Sequence, residues 1–72
     1  MFGLESRRVS GNVKFEDIRE GSIVIVRGAF GTGPEERVKV EGLDRDIKNG
    51  YPGIDYNGSW AYLDQVQRVV LY

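Results

Sequence analysis

A reversal of chain direction is encoded in the run Ile54-Asp55-Tyr56-Asn57-Gly58-Ser59-Trp60-Ala61-Tyr62-Leu63. An Asn-Gly pair between strand-forming residues is the strongest short-range signal for a β-hairpin, because both central positions of a type I′ turn need a positive φ. If Asn57 and Gly58 form the turn, Asp55 faces Trp60 on the opposite strand. The run therefore predicts a two-residue hairpin with a defined register.

The predicted hairpin has two chemically different faces, because successive side chains of a strand point to opposite sides. The mainly aliphatic face comprises Ile54, Tyr56, Ala61 and Leu63. The opposite face comprises Asp55, Trp60 and Tyr62. Since the aliphatic set suits the core, we expect Trp60 and Tyr62 to be partly exposed. Exposed Trp and Tyr side chains are typical of binding surfaces.

Length and composition limit the function classes. The 72 residues make a single domain, and 10 Lys/Arg against 11 Asp/Glu leave a formal charge of −1. With neither Cys nor His in the sequence, thiolate nucleophiles, imidazole bases and Cys/His zinc sites are excluded. We expect a non-enzymatic protein without a cofactor or a bound metal. A dedicated polyanion binder is disfavoured, because such domains are usually strongly basic.

The absence of Cys also favours a reducing compartment. Residues 1–8 lack the continuous apolar core of a signal peptide, and no apolar run is long enough to span a bilayer. We therefore expect a cytoplasmic protein that does not bind membranes. Residues 1–13 are short and polar, with several small residues, and predict a flexible N-terminal arm. The folded domain is expected to cover residues 14–72.

Strand signals dominate this domain. Residues 22–27 are mostly β-branched, residues 37–41 alternate between apolar and charged, and a glycine-rich loop separates the two segments. After the hairpin, residues 63–66 predict one tight turn, followed by a closing strand at residues 67–72. No stretch shows helical periodicity over ten residues. The pattern predicts an all-β fold with five short strands.

The order of these elements over residues 15–72 resembles an SH3-like barrel: strand, long loop, long bent strand, tight hairpin, single helical turn and short final strand. The resemblance implies a five-stranded barrel with a flexible N-terminal arm. It also implies one 3₁₀ turn before the last strand. Because it concerns architecture, it bears on fold more than on function.

Two narrower resemblances lie within this one. The segment Glu20-Gly21-Ser22-Ile23-Val24-Ile25-Val26-Arg27-Gly28-Ala29-Phe30-Gly31 partly resembles a KOW motif. That resemblance implies contact with RNA or the transcription machinery. Residues 46–56 and 60–66 are similar to stretches of uncharacterised phage or prophage proteins, which implies no particular activity.

The favoured function is a small protein-binding module, phage- or prophage-encoded, acting on an unidentified protein partner. The expected partner-binding residues are Trp60, Tyr62, Tyr51 and Phe30, with Asp55 and Arg37 adding polar specificity. We expect a monomer or a weak homo-oligomer, since small barrels often leave edge strands unpaired.

The alternative function is a KOW-like protein that binds nucleic acid or a transcription complex. Basic side chains would then contact phosphates. The residues assigned to this function are Arg7, Arg8, Lys14, Arg27, Arg37 and Lys39.

Overall fold

The computed structural model describes residues 9–10 and 13–72. Within these residues the fold is all-β, as predicted, and consists of two antiparallel sheets. The strands are β1 (Val9–Ser10), β2 (Ile23–Arg27), β3 (Glu35–Lys39), β4 (Gly42–Lys48), β5 (Tyr51–Tyr56), β6 (Ser59–Tyr62) and β7 (Val66–Leu71). The first sheet has the order β1-β7-β2-β3 and the second has the order β4-β5-β6.

Three short helical segments connect the strands. Single 3₁₀ turns lie at Phe15–Asp17 and Leu63–Gln65, the latter directly before β7 as predicted. A helical turn at Gly28–Gly31 has left-handed backbone angles at its two central residues. None of the helical segments in the described part of the chain is long and apolar enough to span a membrane.

The strand count corrects the prediction of a closed five-stranded barrel. From β2 to β7 there are six strands, because the expected bent strand is divided into β3 and β4. At the division, the backbone N–H of Val40 donates to the carbonyl of Ser22, and that of Glu41 donates to the carbonyl of Asp55 (both 2.8 Å). The chain thus leaves one sheet and enters the other within two residues.

The Asn57–Gly58 hairpin has the predicted register. Asp55 faces Trp60, and Ile54 faces Ala61. Asn57 and Gly58 have φ values of 49° and 71°, as a type I′ turn requires. Asn49 and Gly50 form a second two-residue turn of this kind, which joins β4 to β5.

The core lies between the two sheets. As the sequence predicted for this hairpin, Ile54, Tyr56 and Ala61 are buried, and they pack with side chains of the first sheet such as Val24 and Val26. Burial, with a smaller contribution from the charge of Glu36, raises the pKa of the Tyr56 phenol above its usual value. The remaining members of the buried cluster are Ile18, Val38, Val40, Val66 and Val69.

The predicted arm over residues 1–13 lies largely outside the described residues. Within it, Val9 and Ser10 form β1 and pair with Val69 and Arg68 of β7. Val13 packs against the buried core.

Gly53 lies where the structure leaves no space for a side chain. A Cβ at this position would be 2.5 Å from Cγ2 of Ile47 and would overlap the carbonyl oxygen of Ala61. Replacing Gly by Ala stabilises a compatible site by about 0.4–1 kcal/mol, whereas overpacking costs about 1–3 kcal/mol. We expect Gly53→Ala to lower the free energy of unfolding by about 2 kcal/mol, as measured by urea denaturation.

Gly28→Ala is the matched control, because a Cβ there has nothing within 4 Å. Equal stability of the two variants would contradict the close packing of Ile47 over Gly53.

Candidate binding surface

Four aromatic side chains from different parts of the chain form one connected group, which we call the aromatic surface: Phe30, Tyr51, Trp60 and Tyr62. The ring of Tyr62 lies at its centre, with ring centroids 5.0 Å from Trp60, 5.9 Å from Tyr51 and 6.1 Å from Phe30. Phe30 also contacts Trp60 at 6.4 Å. The contacts of Tyr62 with Trp60 and Tyr51 are edge-to-face, an arrangement that aromatic rings favour.

The register of the second sheet positions three of these rings. Tyr62 faces Gly53 across the β5–β6 pair, and the space that a side chain at residue 53 would need is filled by Ile47 of β4. Tyr51 lies two residues from Gly53, on the same side of β5, which puts it within reach of Tyr62 as a diagonal neighbour. Trp60 and Tyr62 share a side of β6 for the same reason.

Phe30 reaches the surface from the other sheet, on the turn that follows β2. Ala29 and Phe30 have φ values of 50° and 55°, a conformation that is costly for residues other than Gly. Hydrogen bonds close the turn: Oγ1 of Thr32 donates to the carbonyl of Ala29 (2.7 Å), and the N–H of Gly33 donates to the carbonyl of Gly28 (2.9 Å). These bonds hold Phe30 in a conformation that its backbone would otherwise disfavour.

Gln65 connects the two sheets beneath this turn. Its Oε1 accepts the N–H of Tyr62 (2.9 Å), and its Nε2 donates to the carbonyl of Arg27 (3.1 Å). The side chain is buried, so both bonds form away from water and neither polar group is left unsatisfied. Gln65 therefore fixes the end of β6, which carries Tyr62, against the end of β2, which leads to Phe30.

The aromatic surface is accessible. Phe30 is 73% exposed and Tyr51 is 62% exposed, while Trp60 and Tyr62 are half-buried. Beside Tyr51 and Tyr62 lies an open groove of about 760 Å³. Pro52, Leu63 and Val66 contribute apolar surface to this groove, and Asp64 contributes a carboxylate.

Charged groups border the aromatic surface. Asp55, exposed, faces Trp60 directly across the β5–β6 pair. Nζ of Lys48 lies 5.7 Å from the Trp60 ring centroid, within the range of a cation–π interaction. Of the two polar residues predicted from the sequence, Asp55 therefore lies beside the aromatic rings.

Arg37, the other predicted polar residue, belongs to a different surface. It pairs with Ile25 in the first sheet, on the outer side that also carries Arg27 and Lys39. The structure thus places Arg37 on a different sheet from Tyr51, Trp60 and Tyr62, with which the prediction grouped it, because the alternation along β3 indicated an outward side chain but not the sheet to which it belongs.

The outer side of the first sheet carries a cluster of cations, which we call the basic face: Arg27, Arg37, Lys39 and Arg68. Glu35 lies among them, 3.3 Å from Arg27 and 3.6 Å from Arg68. Within residues 9–10 and 13–72, neither Arg37 nor Lys39 forms an ion pair.

Three of the six residues of the nucleic-acid alternative thus lie together on the basic face: Arg27, Arg37 and Lys39. Lys14 lies elsewhere, beside the groove that adjoins Tyr51 and Tyr62. Arg7 and Arg8 lie outside the described residues.

Sequence reasoning missed three residues that shape these surfaces: Lys48, Gln65 and Arg68. Lys48 directly precedes the Asn49–Gly50 turn, and this turn signal could have placed it beside Tyr51. The hydrogen bond from Gln65 to Arg27 and the ion pair between Arg68 and Glu35 join residues far apart in the chain, and no local pattern indicated them.

Comparison with known proteins assigns no function to the chain. No protein-family model matches the chain, and no curated protein or solved structure is significantly similar to it. The function is therefore inferred from the residues described above.

The Phe30 contact with Trp60 gives a direct test of the aromatic surface. Phe30→Ala should expose an edge of the indole and shift the emission of Trp60, the single tryptophan of the chain, to longer wavelength. The free energy of unfolding should change by less than about 1 kcal/mol, because Phe30 is largely exposed. Fluorescence spectra and urea denaturation measure the two effects.

Leu71→Ala is the control, since Leu71 is an exposed apolar residue of the first sheet. An unchanged Trp60 spectrum in Phe30→Ala would show that the two rings do not meet in solution.

Proposed function

We propose that this chain is a small, non-enzymatic protein-binding module that contacts its partner through the aromatic surface. The observation that carries the proposal is the convergence of Phe30, Tyr51 and Trp60 around Tyr62, from a turn and two strands. Exposed aromatic rings on a rigid sheet provide a large contact area at a low cost in conformational entropy. Asp55 adds a polar group at the edge.

We further propose that the fold is a variant of the SH3-like barrel. The pairing of β2 with β7, the passage between sheets at Val40 and Glu41, and the 3₁₀ turn after β6 support this relation. The proposed module acts in the cytoplasm as a monomer or weak homo-oligomer. Its phage or prophage origin is inferred from the sequence resemblance.

The strain in the Phe30 turn supports a binding function. Non-Gly residues with left-handed backbone angles cost about 1–2 kcal/mol each, and they occur frequently at functional sites. At Phe30 this conformational cost places an apolar ring in solvent, where the ring contributes little to the stability of the core. A partner that covers Phe30 and Tyr51 would recover the burial that the isolated domain lacks.

Trp60→Ala tests the proposal in a pull-down from the source cell or its host. A central Trp typically contributes at least about 2 kcal/mol to binding, so the partner's Kd should rise roughly thirtyfold. The fold should persist, because Trp60 lies outside the buried core. Circular dichroism during urea denaturation verifies this second expectation.

Leu71→Ala serves as the matched control and should retain the partner. If Trp60→Ala unfolds, the indole belongs to the core instead. If the folded variant still captures the partner normally, Trp60 does not contact that partner.

A second candidate function, binding of nucleic acid or a transcription complex, is favoured by the basic face. Its four cations face one carboxylate, although the whole chain has a formal charge of −1. Arg side chains are well suited to phosphate because they donate two parallel hydrogen bonds. The first sheet presents these groups on the neighbouring strands β3, β2 and β7.

This second candidate predicts affinity that falls steeply with added salt. With three phosphates neutralised, log K against log salt concentration should have a slope of about −3 on duplex DNA. Arg37→Gln should reduce the magnitude of this slope by about 1, whereas Arg45→Gln on β4 should leave it unchanged. Fluorescence anisotropy with labelled DNA or RNA measures the slope, and salt-independent binding or no binding would exclude this function.

A further inference from the structure

The aromatic surface already holds a cation of its own chain. The ammonium group of Lys48 lies over the indole of Trp60, 5.7 Å from the ring centroid. The negative face of an indole attracts cations more strongly than other aromatic side chains do. Lys48 is exposed, so competition with water weakens this contact. The face of the Trp60 indole is thus a site for a positive charge that Lys48 occupies only weakly.

Carboxylates extend along the same side of the second sheet. Asp55 faces Trp60, and Asp44 of β4 faces Gly53, whose other neighbour is Tyr62. Asp64 lies beside Tyr62 in the adjoining groove. Within the described part of the chain, the carboxylates of Asp55 and Asp64 accept no hydrogen bond and form no ion pair. They remain available to a partner.

We propose that the aromatic surface binds an arginine side chain in an extended segment of the partner protein. This inference rests on the proposed protein-binding function and specifies its partner. A guanidinium group is planar, so it can stack on an aromatic ring while its N–H groups donate to a carboxylate at the ring edge. Trp60 provides the ring, and Asp55, its pairing partner on β5, provides a carboxylate on the same side of the sheet, where it lies near Gly42 of β4. An ammonium group has no plane to stack and is more strongly hydrated.

The charge distribution favours this occupant over an acidic one. Asp44 and Asp55 lie on the same side of the second sheet as the aromatic surface and Asp64 lies in the adjoining groove, against the ammonium groups of Lys14 and Lys48. The basic face, by contrast, carries four cations around Glu35. An acidic segment would therefore be attracted to the basic face, and a cationic segment to the aromatic surface.

The emission of Trp60 reports binding at this site, because the chain contains one tryptophan. The probe is a blocked peptide in which four arginines alternate with glycine. A peptide with citrulline in place of arginine has nearly the same shape without the charge, and a glutamate peptide reverses the charge. We expect a saturable change of emission with the arginine peptide, at a Kd about tenfold lower than with citrulline.

Three charge variants separate a direct role from a structural one. Asp55→Asn should weaken arginine-peptide binding about three- to tenfold, because it removes the carboxylate beside Trp60. Lys48→Gln should strengthen it about threefold, because it removes the competing cation. Glu20→Gln, an exposed carboxylate near the opposite end of the first sheet, should leave the Kd unchanged. A loss of local structure would not change the Kd for the arginine peptide in opposite directions in Asp55→Asn and Lys48→Gln.

Each alternative outcome overturns the inference. Equal binding of the citrulline peptide would assign the surface to an uncharged partner, and tighter binding of the glutamate peptide would assign it to an acidic one. If no peptide changes the Trp60 emission, the arginine site is absent. In all three cases the pull-down with Trp60→Ala decides separately whether the aromatic surface binds a protein.

Discussion

The two-residue length of the Asn57–Gly58 turn is the constraint on which the surface depends. Because side chains alternate along a strand, one extra residue in the turn would exchange the two faces of β6 relative to β5. Ala61 would then point toward water, and the larger Trp60 would have to enter a core already filled around Ile54. The positive φ values of Asn57 and Gly58 therefore determine that the indole faces outward.

Contacts between the sheets turn this local geometry into a connected surface. Gln65 attaches the end of β6 to the end of β2, so the turn carrying Phe30 meets Tyr62. Gly53 contributes by its lack of a side chain, since Ile47 and the Ala61 carbonyl occupy the space that a Cβ would need. The site thus requires the hairpin, the buried amide and this close packing together.

Local sequence patterns predicted the hairpin and its two faces. They did not predict features that depend on contacts between residues distant in the chain. The alternation around Asn57 and Gly58 correctly assigned Ile54 and Trp60 to opposite faces. The division of the bent strand at Val40 was missed, because it depends on hydrogen bonds to Ser22 and Asp55, which are distant in sequence. The position of Arg37 on the first sheet was not foreseen, because a strand pattern gives the direction of a side chain but not its neighbours.

Net charge has a related limit, since a sum over the sequence contains no information about position. The shorter dimensions of the molecule are 24 and 23 Å, whereas electrostatic interactions in physiological salt decay over about 8 Å. A ligand at the basic face therefore interacts mainly with Arg37, Lys39 and their neighbours, and little with Asp44 or Asp55 on the other sheet. A formal charge of −1 is thus compatible with one surface that attracts anions and another that attracts cations. Because Arg37 and Asp55 lie on separate sheets, substituting either one should leave binding at the other surface unchanged.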